Sequence, residues 1–485
     1  MLLLLIVMFI FPDEGISLGN QSLKFPTTSE FFNYKNTNDS TAVDSVSEEI
    51  KELIKLEKKQ DPTVVVTKLD SVTLNAKLDS IRKLKKSIQG NERAIASILP
   101  FFKSLNNSKK EKVRIIHYGD SQIESDRITS WIRNDLQKKF GGTGAGLFPV
   151  ITVSQKWTLN NKRSKNWKRY AGFGRKNSAI IHKKFGSYMS FTRFTPVSEE
   201  LREEEATGWI KISKSKLAYQ RVRRFSELNM YLGSGSSKVS YSVIAGIDTL
   251  KMGTVNAHVP FQKIQVKFPP TPEEITVTFK AKDSPNIYGM SLEAGTGVVM
   301  DNIPLRGSSG TLFTKQDATL LKTMYTSLQP NLIILQFGGN TIPYTKSRKQ
   351  ANDYGNWFKQ QISFIKNLNP GVPILVIGPS DMSYKNKTEF ETYPYLEVVR
   401  DALKEATISS DCLYWDMYES MGGKNSMPKW VNADPVLANK DYIHFSSKGS
   451  VKIAKMFSAE LIKLYEASEV SVKKEKEVRN DPVPK

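Results

Sequence analysis

A serine, a histidine and an aspartate stand where they could together perform nucleophilic catalysis. Gly119-Asp120-Ser121 follows a short apolar run and precedes a helix-like stretch. This placement exposes the Ser121 hydroxyl and lets the first helical N–H groups favour developing negative charge. Far along the chain, Asp441 precedes His444 by three positions on one loop. The Asp441 carboxylate can accept the Nδ1–H of His444, which leaves Nε2 to take the Ser121 proton. We therefore predict Ser121, His444 and Asp441 as a catalytic triad.

Two glycine-rich segments between these motifs could stabilise an oxyanion. They are Gly307-Ser308-Ser309-Gly310 and Phe337-Gly338-Gly339-Asn340, and each follows an apolar run. The predicted donors are the backbone N–H groups of Ser121 and Gly310 and the side-chain amide of Asn340. Ser, Gly, Asn and His, in that order and each at a loop edge, resemble the four blocks of the SGNH (GDSL-type) hydrolase superfamily.

The residues before His444 indicate which group within this superfamily the chain resembles. Residues 416–423, Ser426-Met427 and Trp430 lead into Asp441 and His444, and this run resembles the corresponding block of bacterial peptidoglycan O-acetylesterases. In those proteins a β-sandwich resembling a carbohydrate-binding module interrupts the hydrolase domain after its first motif. The similarity covers about 113–150 and 298–465. Two positions depart from the pattern: Gln122 stands where the esterases often carry His, and Thr341 where many relatives have an acidic residue.

The resemblance implies a serine esterase that removes O-acetyl groups from a cell-envelope glycan, with peptidoglycan as the expected partner. One alternative is an O-acetyltransferase that acts on an exported polysaccharide with the same triad, and the motifs do not separate the two. The other is a non-catalytic carbohydrate-binding envelope protein, in which Ser121 would be a turn residue and His444 a surface histidine. The presence of Ser121, Asn340, Asp441 and His444 together argues against this second alternative.

Other residues that could do chemistry have simpler interpretations. Asp120 is expected to hold the serine turn by bonding backbone groups, and Asp381 competes poorly with Asp441 for the acid role. The sole cysteine, Cys412, excludes an intramolecular disulfide, and its apolar neighbours predict an inert buried thiol. Only four histidines are present, so we expect no metal and no other cofactor.

Composition bounds the size and the charge of the molecule. A chain of 485 residues is long enough for two or three domains. Lys and Arg number 70 against 49 Asp and Glu, a net charge of +21. This balance indicates either an ordinary solvated surface or attraction to anionic envelope polymers or a membrane surface. No nucleic-acid partner is expected, because no recognised DNA- or RNA-binding motif is found.

The chain ends carry targeting and linker signals. The apolar run at 1–11 predicts a signal or membrane anchor within 1–18, although it lacks a basic start and a clear small-x-small cleavage site. A buried N-terminal strand is the alternative. We expect an exported protein, periplasmic or associated with the envelope, with possible membrane association through this end. Residues 36–75 are interpreted as a polar tether and 466–485 as a charged, solvated tail.

Alternating segments predict an α/β fold of SGNH-hydrolase type, a parallel sheet flanked by helices. Its two parts would be 76–150 and 291–465. The predicted strands and helices are strands at 113–118, 297–303, 332–337, 374–377 and 413–415, and helices at 78–102, 126–139, 315–328, 357–368, 395–408 and 447–465. All four motifs then fall at the carboxyl ends of the strands, where α/β sheets bind ligands.

Residues 151–290 break the helical pattern. Apolar and polar residues alternate at 228–232, 239–243, 264–268 and 275–279, which predicts an inserted β-sandwich. The early part of this insert interleaves Trp157 and Trp167 with seven further aromatic or cationic residues: Lys162, Arg163, Lys165, Lys168, Arg169, Tyr170 and Arg175. We predict Trp157, Trp167 and, in the last block, Trp430 as substrate-binding residues. The alternative is a structural loop with a solvated basic face.

Overall fold

The computed structural model describes residues 16–18, 21–23 and 88–480, with gaps at 155–156, 175–176, 203, 234 and 269–270. The expectation of a tether at 36–75 lies outside the described residues, as does all but the end of the expected anchor at 1–18. Within the described part of the chain, no helix has both the length and the apolar character needed to cross a membrane.

The strands, numbered in chain order, are β1 (Ile16–Leu18), β2 (Gln21–Leu23), β3 (Ile88–Gln89), β4 (Lys112–Gly119), β5 (Gly146–Phe148), β6 (Leu159–Arg163), β7 (Lys168–Ala171), β8 (Ser190–Arg193), β9 (Ala206–Lys214), β10 (Glu227–Gly233), β11 (Val239–Ala245), β12 (Asp248–Val255), β13 (Gln262–Lys267), β14 (Glu274–Ala281), β15 (Asn286–Glu293), β16 (Gly297–Pro304), β17 (Pro330–Gln336), β18 (Ile374–Ile377), β19 (Ser383–Asn386), β20 (Glu389–Thr392) and β21 (Leu413–Trp415). The pair β1–β2 is an antiparallel hairpin within residues 1–67, a unit of its own.

The helices follow the same order. They are α1 (Glu92–Asn106), α2 (Thr129–Phe140), α3 (Ala318–Leu328), α4 (Arg348–Leu368), α5 (Leu396–Ile408), α6 (Met417–Met421), α7 (Ser426–Val431) and α8 (Ser447–Asn480). Short 3₁₀ turns span Ser121–Asp126, Glu199–Leu201, Phe313–Lys315 and Gly339–Tyr344. Asn91 caps the N-terminus of α1. Its side chain accepts the Ala94 N–H at 2.8 Å and so provides an acceptor for one of the free N–H groups of the first turn.

The central sheet has the strand order β16-β4-β17-β18-β21-β3. Neighbours from β16 to β21 run parallel, and only β3 is antiparallel. Helices cover both faces, because alternate side chains of the near-continuous apolar strands point to opposite sides. On β4, Val113 and Ile115 join the core formed with α1, α2 and α8, whereas the Tyr118 hydroxyl lies 2.9 Å from that of Tyr325 on α3. The predicted parallel sheet flanked by helices is confirmed.

The chain between the first motif and β16 forms two antiparallel sheets. One has the order β13-β10-β15-β8-β7, with β5 also paired to β15, and the other has the order β12-β11-β14-β9-β6. Apolar side chains from both sheets share one core, to which Ile210, Val277 and Met290 contribute. This packing of two sheets is the inserted β-sandwich that the alternation predicts.

A buried ion network joins the sandwich to the central sheet. Arg114 on β4 donates to both carboxylate oxygens of Asp301 at 2.8 Å and also pairs with Glu293 on β15. The Lys112 ammonium lies 3.2 Å from Glu293. Burial alone would raise the pKa of Glu293, but the two cations bring it to about 2. Glu293 therefore stays ionised at neutral pH and connects the two sheets.

Three helices differ clearly from their expected bounds. In place of the helix expected at 78–102, α1 spans Glu92–Asn106 and the strand β3 lies at Ile88–Gln89, because pairing with β21 holds these two residues extended. Helix α4 begins at Arg348 rather than at 357, because Ser347 caps a polar first turn by accepting the Gln350 N–H at 3.2 Å. Helix α8 continues to Asn480, so most of the expected tail at 466–485 is helical. The added segments of α4 and α8 are rich in polar residues, and apolar periodicity does not detect helical turns with few apolar residues.

Candidate active site

The serine turn begins where β4 ends, at Gly119. Asp120 follows, and its carboxylate accepts the Gln122 N–H at 2.9 Å while its own N–H donates to the Gln336 carbonyl at 3.2 Å. These bonds hold the start of the 3₁₀ turn Ser121–Asp126 against β17. Burial raises the pKa of Asp120 to about 6, although the Gln122 N–H and the nearby His444 favour its charged form. Asp120 thus has the turn-holding position that the sequence predicts.

Ser121, His444 and Asp441 lie in a hydrogen-bonded chain. Ser121 Oγ is 2.8 Å from His444 Nε2, and His444 Nδ1 is 2.8 Å from Asp441 Oδ2. Partial burial would raise the pKa of Asp441, but hydrogen bonds from the backbone and the ring of His444 hold it below its usual value. The carboxylate is therefore ionised and fixes the proton on Nδ1, which leaves Nε2 to accept the serine proton.

The loop that carries the histidine is held by its own aspartate and by a hairpin. Asp441 Oδ1 accepts the backbone N–H groups of Ile443 and His444, both at 3.0 Å. Tyr442, which follows Asp441, adopts a left-handed conformation at φ 57°. Its ring stacks on Phe390 of β20, with 3.5 Å between ring centroids. The β19–β20 hairpin also bonds this loop directly, because the Ser383 N–H donates to the Tyr442 carbonyl at 3.0 Å.

Two residues that sequence reasoning did not assign to the site connect its loops. The Gln122 amide donates to the Ile443 carbonyl at 2.7 Å and so ties the serine turn to the histidine loop. Arg127 donates to the Ser121 carbonyl, also at 2.7 Å. Gln122 was visible in the sequence only as a departure from the esterase pattern. Arg127 gave no signal, because a cation early in a helix-like stretch is normally a surface residue.

Only some of the predicted oxyanion donors are brought to the serine. The Asn340 amide donates to the Ser308 carbonyl at 3.1 Å and lies 3.4 Å from Asp120 Oδ2, and Asn340 lines the same pocket as Ser121. Gly310 does not line that pocket, and its N–H donates to Ser308 Oγ at 3.0 Å. The Gly310 N–H and the Asn340 amide thus both have protein acceptors, and the assignment of Ser121, Gly310 and Asn340 as oxyanion donors stays a prediction.

A pocket of about 230 Å³ opens at the serine and the histidine. Its walls include the apolar side chains of Pro343, Pro379, Met382 and Met417. Tyr344 stands at its edge with 78% of its surface exposed. A pocket of this volume, with both polar and apolar walls, has room for an acetyl group and part of the sugar that carries it.

The three predicted tryptophans have different environments. Trp167 is 5% exposed, and its ring N–H donates to the Trp209 carbonyl within the sandwich core. Trp430 is 6% exposed and donates to the Met421 carbonyl. The prediction that these two bind substrate is wrong, because both rings are packed in cores. Trp157 is half-buried, and its backbone N–H bonds the Ser125 carbonyl at 3.2 Å, next to the serine turn.

Two further titratable groups near the site have structural partners. Asp381 accepts the Met427 N–H and the Thr392 hydroxyl, each at 2.7 Å, and does not join the triad. His117 lies on β4 and bonds Gln336 and Thr129. Burial lowers the pKa of His117 to about 4, so this histidine is neutral and structural.

The structure thus combines a parallel sheet with a serine on the turn after β4 and a histidine on the loop before α8. A solved structure of a peptidoglycan O-acetylesterase superimposes on 76% of this chain and on 96% of its own, at 19% sequence identity and a TM-score of 0.58. The two proteins therefore share a fold, and this fold agrees with the resemblance that the motif order predicts.

Two other solved structures match with TM-scores below 0.5. A family two carbohydrate esterase from Clostridium thermocellum covers 54% of this chain and 92% of its own, at 11% identity and a TM-score of 0.22. An acetyl xylan esterase covers 33% and 80%, at 13% identity and a TM-score of 0.26. No protein-family model matches the chain, and no curated protein matches it by sequence.

Proposed function

We propose that this protein is a serine esterase that removes O-acetyl groups from a cell-envelope glycan, with peptidoglycan as its substrate. The observation that carries the proposal is the chain of two 2.8 Å hydrogen bonds from Ser121 through His444 to Asp441. The pocket beside Ser121, which has room for an acetylated sugar, supports an ester of a glycan, and the fold shared with a peptidoglycan O-acetylesterase supports the choice of polymer. An exported protein, as the N-terminal apolar run favours, would meet that polymer.

The proposed reaction has two acyl-transfer steps. His444 Nε2 takes the proton of Ser121, and Oγ attacks the ester carbonyl to form a tetrahedral oxyanion. The proposed oxyanion donors are the Ser121 N–H, the Asn340 amide and the Gly310 N–H, and the last two would each exchange an oxygen of Ser308 for the oxyanion. His444 then protonates the departing sugar alkoxide. Water, deprotonated by the same imidazole, releases acetate from the serine.

The triad is tested by Ser121→Ala and Asp441→Asn. We expect Ser121→Ala to abolish hydrolysis of a small aryl acetate, since no nucleophile remains. Asp441→Asn should lower kcat by about 10⁴, the loss that the wrong imidazole tautomer causes in serine proteases. Ser363→Ala, an exposed serine on α4, is the matched control and should retain full activity. Near wild-type activity of Ser121→Ala, with the fold verified by circular dichroism, would exclude the proposal.

The polymer is tested separately by acetate release. We expect faster release from O-acetylated peptidoglycan than from acetylated xylan, and no acetyl transfer to an added acceptor glycan. A preference for xylan would keep the esterase and change its substrate. Transfer of acetyl to the acceptor would identify the alternative O-acetyltransferase.

A further inference from the structure

A second cavity of about 230 Å³ lies on the sandwich, apart from the residues that line the serine pocket. Ile180 and Phe191 form part of its apolar side, and Lys184 and Arg193 form its basic side. His182 also lines the cavity, and burial together with the nearby Lys184 lowers its pKa, so its ring is neutral at pH 7. Among the described residues, no carboxylate lines it. Its volume corresponds to roughly seven or eight water molecules, which is the space of one sugar ring.

The charge of this cavity is only partly neutralised. Arg193 is buried and pairs with Asp283, but the same carboxylate is also 3.2 Å from Arg202. One aspartate therefore serves two guanidinium groups and leaves one positive charge in excess. Lys184 forms no ion pair with any residue that the structure describes, and its side chain is exposed.

Arg193 also has an unused donor. Its Nη1 donates to Asn286 at 3.0 Å, whereas the buried Nε finds no acceptor in the part of the chain that the structure covers. A buried donor without a partner is destabilising, so an acceptor that reached this position would be favoured. The strand register adds a further cation to this face, because Lys168 on β7 lies directly opposite Arg193 on β8.

The aromatic side chains give the cavity a rigid floor. Phe191 stacks on Tyr170 at 5.3 Å and on Phe185 at 5.6 Å between ring centroids. The His182 ring lies 5.7 Å from that of Phe191. A ligand that matches this cavity needs an anion for the basic side and an apolar face for the floor. A sugar that carries a carboxylate has both, whereas inorganic phosphate has only the charge.

We propose that this cavity, lined by His182, Lys184, Phe191 and Arg193, binds a carboxylate-bearing sugar of the glycan and so anchors the polymer on the insert. The site goes beyond the esterase reaction and rests on the proposed function only for the choice of sugar. In peptidoglycan the carboxylate would be the lactyl group of a muramic acid residue from which the peptide is absent.

The experiment is calorimetric titration of the full-length protein with the disaccharide of N-acetylglucosamine and N-acetylmuramic acid. The neutral ligand for comparison is chitobiose. We expect Lys184→Gln to weaken binding of the acidic disaccharide about tenfold, the usual loss of one charge-assisted hydrogen bond. Chitobiose should bind weakly and equally to both proteins. Lys183→Gln, the adjacent exposed lysine that does not line the cavity, is the matched control and should behave as wild type.

Three results would overturn the proposal. They are equal affinity of the wild type for the acidic and neutral disaccharides, unchanged affinity in Lys184→Gln, and displacement of the acidic disaccharide by an equal concentration of inorganic phosphate. The last would identify a general anion site. Since Lys184 does not line the serine pocket, aryl acetate hydrolysis should be unchanged in Lys184→Gln. Loss of esterase activity in Ser121→Ala and loss of binding in Lys184→Gln are thus independent tests.

Discussion

Asp120 shows at the scale of one residue how the site holds a charge where burial disfavours it. The carboxylate is buried, and its pKa is raised to about 6 by that burial. It nevertheless accepts the Gln122 N–H and lies within reach of the Asn340 amide. Its ionised form therefore orients the serine turn and a predicted oxyanion donor at a cost in stability.

This cost predicts a pH dependence of stability. The ordinary pKa of 3.8 applies to the unfolded chain and about 6 to the folded protein. The folded state binds the proton more tightly, so the stabilisation is complete below pH 3.8 and is lost as the pH rises through 6. At about 1.4 kcal/mol per pKa unit, the loss is of order 3 kcal/mol. Urea unfolding at several pH values should reveal it.

The control for this prediction is Asp120→Asn, which cannot ionise. The free energy of unfolding of the variant should lack the pH-dependent contribution of Asp120. The difference in the free energy of unfolding between wild type and variant should therefore change by about 3 kcal/mol between pH 4 and 7. A difference that stays constant over this range would show that Asp120 titrates normally in the folded protein.

Residue types revealed the triad, but they could not reveal which aromatic rings face solvent. Sequence reasoning could find Ser121, Asp441 and His444 because their side chains have a specific chemistry and because Asp441 precedes His444 by only three positions. Trp167 and Trp430 were misassigned because a tryptophan among cations has the same sequence appearance in a binding face and in a core. Gln122 and Arg127 act through bonds to backbone carbonyls, for which no local pattern exists.

At the scale of elements, the junction of β4, β15 and β16 depends on buried charges. Glu293 is fully buried, and Arg114 and Lys112 are its cationic partners. Removal of one member of such a network leaves an unpaired buried charge. The connection between the two parts of the chain is therefore sensitive to a single substitution.

We predict that Glu293→Gln lowers the free energy of unfolding by about 3–5 kcal/mol at neutral pH. The matched control is Glu273→Gln, whose partner is Lys214 and whose side chain is 86% exposed. This surface pair should contribute about 1 kcal/mol or less. Chemical denaturation of both variants measures the difference, and equal small losses would show that the network does not stabilise the junction.

The same substitution has a pH signature of opposite sign to that of Asp120. The pKa of Glu293 falls from 4.5 to about 2 on folding. Its stabilisation is present above pH 4.5 and is lost as the pH falls toward 2. The destabilisation by Glu293→Gln should accordingly diminish in acid.

Among the elements, the buried parallel strands were the most predictable. β18 (Ile374–Ile377) and β21 (Leu413–Trp415) have the bounds that the sequence predicted, because short apolar runs between turn residues have few alternatives. The short strand β3 was missed, since pairing with β21 defines it rather than any pattern of its own. The first turns of α4 and the end of α8 were missed because polar helical turns lack apolar periodicity.

At the scale of the whole molecule, the net charge of +21 should matter for a polymer and not for a small ester. Exposed cations attract an anionic glycan over a screening length of about 10 Å at 0.1 M salt and about 3 Å at 1 M. We predict that co-sedimentation with insoluble peptidoglycan falls severalfold over this range of salt. Aryl acetate hydrolysis should change by less than about twofold, because the ester is uncharged.

Insoluble chitin, a neutral glycan, is the control polymer for this measurement. Its retention of the protein should depend little on salt. If peptidoglycan and chitin responded alike, the basic surface would be an ordinary solvated one, as the alternative interpretation of the composition holds.

The separation of the nucleophile from its base along the chain has a consequence for biosynthesis. Ser121 and His444 are 323 positions apart, and the whole sandwich is made between them. Contacts between such distant positions require closure of a long loop and form late in folding. A ribosome-bound chain that has folded its sandwich still lacks the imidazole. Hydrolytic activity therefore requires synthesis of the chain beyond His444, and a chain that stops within the sandwich has the nucleophile without its base.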